Sequence, residues 1–168
     1  MAAAGTMTSR FITERGFNAG DRAAVVALLR EYWSYLGVPV CFQDFDAEVA
    51  DLPGAYAPPG GQMLLARAAL DNALVGCVAV RPVPGVPGMC EMKRLYVRPA
   101  ARGSGLGRQL ALAVMDEARQ LGYRHMCLDT LPTLEEAQTL YRSLGFRRTG
   151  TAGSDPVVVL YERDLAIP

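Results

Sequence analysis

At 168 residues the chain has the length of one domain of about 150 residues, enough to enclose a hydrophobic core without disulfide or metal staples. Apolar residues at 51% against 20% charged exclude a disordered chain, and 17 basic against 17 acidic residues give zero formal charge, which argues against an obligate nucleic-acid or membrane-surface binder. The four cysteines (Cys41, Cys77, Cys90 and Cys127) form no C-x-x-C pair, so neither a zinc knuckle nor a disulfide framework is indicated, and the longest uncharged run, Leu52 to Ala66, is too rich in Pro and Gly to span a bilayer.

Met1 to Ser9 has no basic flank ahead of an apolar stretch, so it reads as a frayed start of a soluble, cytoplasmic protein and not as a secretory signal. Phe11 to Phe17 predicts a weak strand. Asn18 or Asp21 can cap a helix to about Leu36, in which Val25, Leu28, Leu29, Tyr32, Trp33 and Leu36 follow the 3.6-residue period. Phe42 to Leu52 predicts a short second helix and Pro53 to Gly61 a loop. Gln62 to Leu70 and Ala73 to Arg81 predict a hairpin joined by a two-residue Asp71-Asn72 turn. The apolar run Leu74 to Val80 should be covered on both faces.

After a Pro- and Gly-rich loop, Met89 to Val97 predicts another strand, stopped by Pro99. Gly103 to Leu121 predicts a helix and Tyr123 to Thr130 a strand. The next helix has Pro132 at its start and Gly145 closing it, with Leu134, Ala137, Leu140, Tyr141 and Leu144 on one face. Phe146 to Thr151 and Val157 to Leu165 are the last two strands. The order is β-α-α-β-β-β-α-β-α-β-β. It predicts one α/β domain over 1–168, with a mixed, mostly antiparallel sheet of seven strands and helices on both faces. The strand–helix–strand unit from Met89 to Thr130 forces a parallel pair by a right-handed crossover.

Local charge says more than the total. Lys93 to Met115 contains no acid, yet Lys93, Arg94, Arg98, Arg102 and Arg108 all fall there, which points to an anion site. Within it, Arg102-Gly103-Ser104-Gly105-Leu106-Gly107-Arg108 joins a strand to a helix. Alternate glycines let backbone N–H groups approach a ligand, and the positive end of the helix points at the same place. A phosphate or pyrophosphate is the natural occupant, each charge-assisted hydrogen bond contributing roughly 1.5–3 kcal/mol. No Gly-Lys-Ser/Thr occurs, which excludes a P-loop, and G-x-G-x-x-G fails in both registers, with Arg108 or Leu110 in its last place.

Leu95-Tyr96-Val97-Arg98-Pro99 followed by Arg102-x-x-Gly105-x-Gly107 resembles motif A of the GCN5-related N-acetyltransferase (GNAT) superfamily, over a region spanning 89–121. Ala137-x-x-x-Tyr141-x-x-x-Gly145-Phe146, within 123–146, resembles its motif B. The resemblance covers Gln62 to Leu165 well and the N-terminal third in outline. It implies a fold in which the parallel pair splays apart, with acetyl-CoA as acyl donor lying in the gap. The amides of Gly103, Ser104, Gly105 and Gly107, beside Leu106, Arg102 and Arg108, would hold the pyrophosphate. The backbone of Leu95, Tyr96 and Val97 would pair with the pantetheine arm, and Ala137 would lie against it. Leu134 stands where family members often carry Asn, so one polar contact to that arm is missing.

No covalent step is required, because a substrate amine can attack the thioester directly. Orientation alone can supply roughly 7–11 kcal/mol of the barrier. An amine with a pKa about three units above pH 7 costs about 4 kcal/mol to deprotonate, so a positioned carboxylate is useful. Glu91 is the candidate base, on the strand leading to the anion loop; the competing reading is an ion pair with Lys93 or Arg94. Asp129 is the second candidate, with capping of the next turn as the alternative. Tyr141 is the candidate acid for the departing thiolate, with core packing as the alternative. His125 and the cysteines are read as packed residues, and no metal site is expected.

The leading function is therefore transfer of an acetyl group from acetyl-CoA to a primary amine. The acceptor is expected against Tyr32 to Phe45, Pro53 to Gly61 and Pro82 to Gly88. A non-catalytic acyl-CoA-binding module on the same fold is the alternative; it needs Arg102 to Arg108 but neither Glu91 nor Tyr141. Neither a nucleic-acid nor a membrane partner is expected. Strands at the C-terminal edge leave a homodimer open.

Overall fold

A computed structural model describes residues 9–39 and 42–166. The strands are β1 (Phe11–Arg15), β2 (Gln62–Ala68), β3 (Leu74–Pro82), β4 (Met89–Val97), β5 (His125–Thr130), β6 (Arg147–Ala152) and β7 (Val158–Asp164). The helices are α1 (Arg22–Leu36), α2 (Phe45–Asp51), α3 (Leu106–Gln120) and α4 (Glu135–Ser143). The elements follow the predicted order. They form a seven-stranded sheet in the spatial order β1-β2-β3-β4-β5-β7-β6, antiparallel except for the β4–β5 pair.

Side-chain alternation on β2 and β3 builds two cores. Leu64, Ala66, Val78 and Val80 pack with α3 and α4, whereas Met63, Leu65, Cys77 and Ala79 pack with α1, α2 and Tyr56. This is why the apolar run from Leu74 to Val80 is covered on both faces. Gly122 and Gly145, at φ +90° and +83°, terminate α3 and α4 in the left-handed conformation. The amides of Tyr123 and Phe146 close back on Ala118 and Tyr141.

Several expectations shift. The hairpin turn is wider than two residues: the Ala68 amide bonds the Ala73 carbonyl, Asn72 takes φ +60°, and Leu70 is exposed. The anion loop stays outside α3, which begins at Leu106. The α4 helix begins at Glu135, so Pro132 precedes it instead of starting it. Asn18 accepts a bond from the Asp21 amide, while Asp21 pairs with Arg67 at 2.9 Å and caps nothing. His125 is exposed, because it opens β5 where the sheet meets solvent. Cys77 and Cys90 are buried as expected and Cys127 is half-buried. Cys41 and the start over 1–8 lie outside the described residues.

Two features position the site. The parallel β4–β5 ladder runs only from Met89↔His125 to Glu91↔Cys127, and the strands then part. On the other side of β4 the register with β3 slips between Cys77↔Tyr96 and Ala79↔Lys93, where Arg94 sits at φ +59°. This is a β-bulge: one extra residue bends the strand and turns two consecutive side chains, Lys93 and Arg94, to the α1–α2 face. Beyond it, the β5-facing backbone edge of Leu95 to Val97 has no strand partner among the described residues.

Candidate active site

A groove of about 580 Å³ lies between the parted strands and runs from the glycine loop to Tyr141. Gly103 and Gly105 take φ +72° and +83°, and a Cβ on either would meet nothing within 4 Å. Glycine is thus demanded there by the backbone, not by packing. Gly105 opens α3 without a side-chain cap, and the first intrahelical bond is from the Gln109 amide to the Gly105 carbonyl. The Gly107 and Arg108 amides consequently have no helical acceptor and lie beside the groove. Arg102 donates to the Val97 carbonyl at 3.0 Å and lies over the Tyr35 ring at 4.5 Å, while Arg108 donates to Ser143 at 2.9 Å. This cradle of free amides flanked by two guanidinium groups fits a diphosphate.

The expected donor residues Leu95, Tyr96, Val97, Arg102, Gly103, Gly105, Leu106, Gly107, Arg108 and Ala137 all line this groove. Ser104 is not among the lining residues. Its hydroxyl donates to the Ala101 carbonyl at 2.6 Å and accepts weakly from the Leu106 amide, so its side chain braces the loop. The five-residue basic cluster divides. Only Arg102 and Arg108 reach the groove; Lys93 and Arg94 are turned away by the bulge, and Arg98 pairs with Glu31 at 2.7 Å.

Where the groove ends, a narrow cleft at the splay is lined by Tyr32, Lys93, Asp129, Leu134 and Tyr141. Tyr141 is buried, packs edge-on to Phe146, and its hydroxyl makes no hydrogen bond among the described residues. Burial pushes its pKa well above the ordinary phenol value, so the hydroxyl keeps its proton. Tyr32, also raised by burial, lines the same cleft and the groove.

Beyond the cleft lies a chamber of about 590 Å³, formed by the start of α2, the turn at Pro53 to Tyr56, and the faces of β3, β4 and β5. Glu91 is in this chamber, not in the groove. It is ion-paired to Arg81 across the β3–β4 ladder at 2.9 Å and to Lys93 at 3.5 Å, so the pairing with Lys93 is realised and that with Arg94 is not. Arg94 instead forms a two-pronged bond to Glu48 at 2.6 and 2.7 Å and lies over the Trp33 ring at 5.1 Å.

Asp129 borders the groove, the cleft and the chamber alike. Its two oxygens accept from Lys93 Nζ at 2.9 Å and from Gln43 Nε2 at 2.6 Å, and Lys93 also donates to Gln43 Oε1 at 2.8 Å. Burial alone would raise the Asp129 pKa. The Lys93 ammonium and the two hydrogen bonds outweigh burial and hold it below the usual carboxylate value.

Gln43 carries no chemical signature in the sequence. It reaches Asp129 because Gln43 and Asp44 take consecutive left-handed conformations, φ +58° and +51°. Such strain costs of order 1–3 kcal/mol per residue and is characteristic of functional turns. Burial pushes the Cys77 and Cys90 thiols up to about 12 and the Cys127 thiol to about 11, which keeps them from acting as thiolates. Among the described residues no cluster of metal ligands occurs, and no helix is long and apolar enough to cross a membrane.

Comparison with known proteins agrees with this geometry. The acetyltransferase (GNAT) family profile matches residues 23–146. An uncharacterized N-acetyltransferase of Schizosaccharomyces pombe is 47% identical over 137 residues, covering 81% of this chain and 83% of its own. An IAA acetyltransferase of Azospirillum brasilense is 34% identical over 145 residues, covering 84% and 91%. A Salmonella typhimurium acetyltransferase structure, solved with its cofactor acetyl-CoA, shares the fold with a TM-score of 0.72 at 21% identity, over 94% of this chain and 95% of that one. With the splayed strand pair and the glycine cradle, these matches show that the chain belongs to the GNAT family and is an acyl-CoA-dependent N-acetyltransferase.

Proposed function

We propose that the protein moves an acetyl group from acetyl-CoA to a primary amine by direct attack in a ternary complex. The observation that carries this reading is the position of Asp129, on the border of both the donor groove and the acceptor chamber. When bound, acetyl-CoA supplies an activated thioester and a thiolate leaving group. Gly103 to Arg108, with Arg102, hold its pyrophosphate, and the open backbone edge of Leu95 to Val97 aligns its arm. Ala137 and Leu134 give that arm an apolar wall.

The acceptor enters from the chamber, and Asp129, held ionised, anchors its ammonium. Glu91 takes the proton through water, which frees the lone pair for attack. Tyr141, kept neutral by burial, then donates a hydrogen bond to the sulfur as charge develops there. Because burial raises the phenol well above its ordinary value, full proton transfer to a thiolate with a pKa near 8.5 is strongly uphill, so Tyr141 acts by the hydrogen bond and not by giving up its proton. A second reading exchanges the carboxylates, because Glu91 has both oxygens in ion pairs and only Asp129 reaches the cleft.

Thiol release with both substrates varied tests the scheme. Intersecting initial-velocity lines are expected, and parallel lines would overturn direct attack in favour of a covalent intermediate. The pH profiles of Glu91→Gln and Asp129→Asn then assign the base: loss of the acidic limb in one variant identifies it. Among the described residues the outer edge of β6 has no strand partner, and we place any pairing with a second copy there.

A further inference from the structure

We propose that Tyr35 is a positioning residue for coenzyme binding, its ring holding the Arg102 guanidinium in place to receive the diphosphate. This rests on the reading of the groove as the coenzyme site and adds a residue from α1 to it. The stretch from Tyr32 to Phe45 is expected against the acceptor. Tyr35 departs from that expectation: it lines the groove with Arg102 and the glycine loop and does not border the chamber.

Arg102 is exposed and, among the described residues, no carboxylate pairs with it, whereas Arg98 is taken by Glu31. An arginine side chain in solvent has many rotamers, and a ligand that must first arrest it loses affinity. Two contacts arrest Arg102 in advance. Its Nε donates to the Val97 carbonyl at 3.0 Å, and its guanidinium carbon lies 4.5 Å from the centre of the Tyr35 ring. A ring over the guanidinium leaves the N–H groups for other partners, because they lie in the guanidinium plane. With Nε spent on Val97, the terminal nitrogens supply the N–H groups that can fork onto phosphate oxygens.

The Tyr35 ring is itself held. Tyr32 and Tyr35, three residues apart on α1, share one face of the helix and both pack on Tyr96, with ring centres 5.3 and 6.1 Å from it. Tyr96 is buried on β4 and stands 5.7 Å from the same guanidinium carbon. Arg102 is thus tied to β4 through Val97 and to α1 through Tyr35, while Arg108 is held by Ser143 of α4. Tyr35 is 51% exposed, so its ring can be truncated without opening the core.

The test is calorimetric titration of CoA, and of dephospho-CoA, which keeps the diphosphate and lacks the ribose phosphate, into the whole protein and its variants. Tyr35→Ala is expected to weaken both about three- to tenfold, the worth of one cation–ring contact together with a side chain no longer held. Tyr35→Phe, which keeps the ring, should stay within about twofold of the parent protein. In an Arg102→Ala background Tyr35→Ala should weaken binding no further, because no guanidinium is left to hold. Unchanged affinity in Tyr35→Ala would overturn the proposal. The same loss with and without Arg102 would also overturn it and make Tyr35 a direct coenzyme contact or a packing residue. A loss seen with CoA and absent with dephospho-CoA would overturn it in favour of the ribose phosphate. If the parent protein binds CoA and Tyr35→Ala is silent, only the proposal falls; if the parent protein binds neither compound, the reading of the groove falls with it.

Discussion

The groove at the glycine loop and the acidic chamber share Asp129 but are built by opposite means. The groove is made of backbone: two glycines at positive φ, the free start of α3 and an open strand edge, all between Leu95 and Arg108. The chamber is made of side chains, with Gln43, Glu48, Arg81, Glu91, Lys93 and Asp129 coming from five separate segments. A ligand whose chemistry never varies can be met by amides that any sequence supplies. A cavity built of side chains can change what it recognises by substitution without disturbing the fold.

The contrast can be broken most forcefully at Lys93. Lys93→Met removes the cation from a buried cluster and leaves Asp129 and Glu91 facing each other, which should reduce stability by about 3–5 kcal/mol in urea denaturation. Coenzyme affinity, set in the groove, should stay within about threefold. Gly105→Glu attacks the other half: strain at φ +83° of about 1–3 kcal/mol adds to a carboxylate placed where the diphosphate would sit. We expect coenzyme affinity by calorimetry to fall about a hundredfold or more. Unchanged affinity would mean that the loop is only a turn.

Tyr141→Phe sharpens the comparison by separating binding from chemistry. A fall in kcat of about ten- to a hundredfold, with unaltered coenzyme affinity, is expected, and an unaltered kcat would make Tyr141 a packing residue. The smallest effect lies in pH dependence. Because the folded-state pKa of Asp129 is depressed, its contribution to stability is present above the unfolded carboxyl value of about 4 and is lost as pH falls through the lower folded value. Asp129→Asn should therefore show a shallower loss of the urea midpoint below about pH 4 than the parent protein.

The groove was legible in the sequence because its signal is contiguous: glycines at fixed offsets between an apolar strand and an amphipathic helix. The order of elements along the chain, the helices on both faces of the sheet and the inward phase of Tyr141 followed from local periodicities. The chamber was not legible, since its contacts are long-range and charge counts along the chain misstate them. Lys93, Arg94 and Arg98 looked like part of one anion site, but partners 36 to 67 residues away claim them. Gln43 was invisible because two left-handed residues aim it. Nothing in the local pattern distinguishes Asp129 as a terminal strand residue from Asp129 at a crossroads of three cavities.

The extra residue at Arg94 gears the two halves together. It breaks the alternation of β4 and turns two consecutive cations to one face, Lys93 to the chamber with Asp129 and Arg94 to Glu48 behind its wall, while the strand beyond runs along the groove. Transplanting a new acceptor preference from a relative must therefore conserve the residue count between Met92 and Leu95 before any side chain is exchanged. Deleting one residue there would reverse every later side chain of the strand, and so silence donor and acceptor recognition in a single stroke.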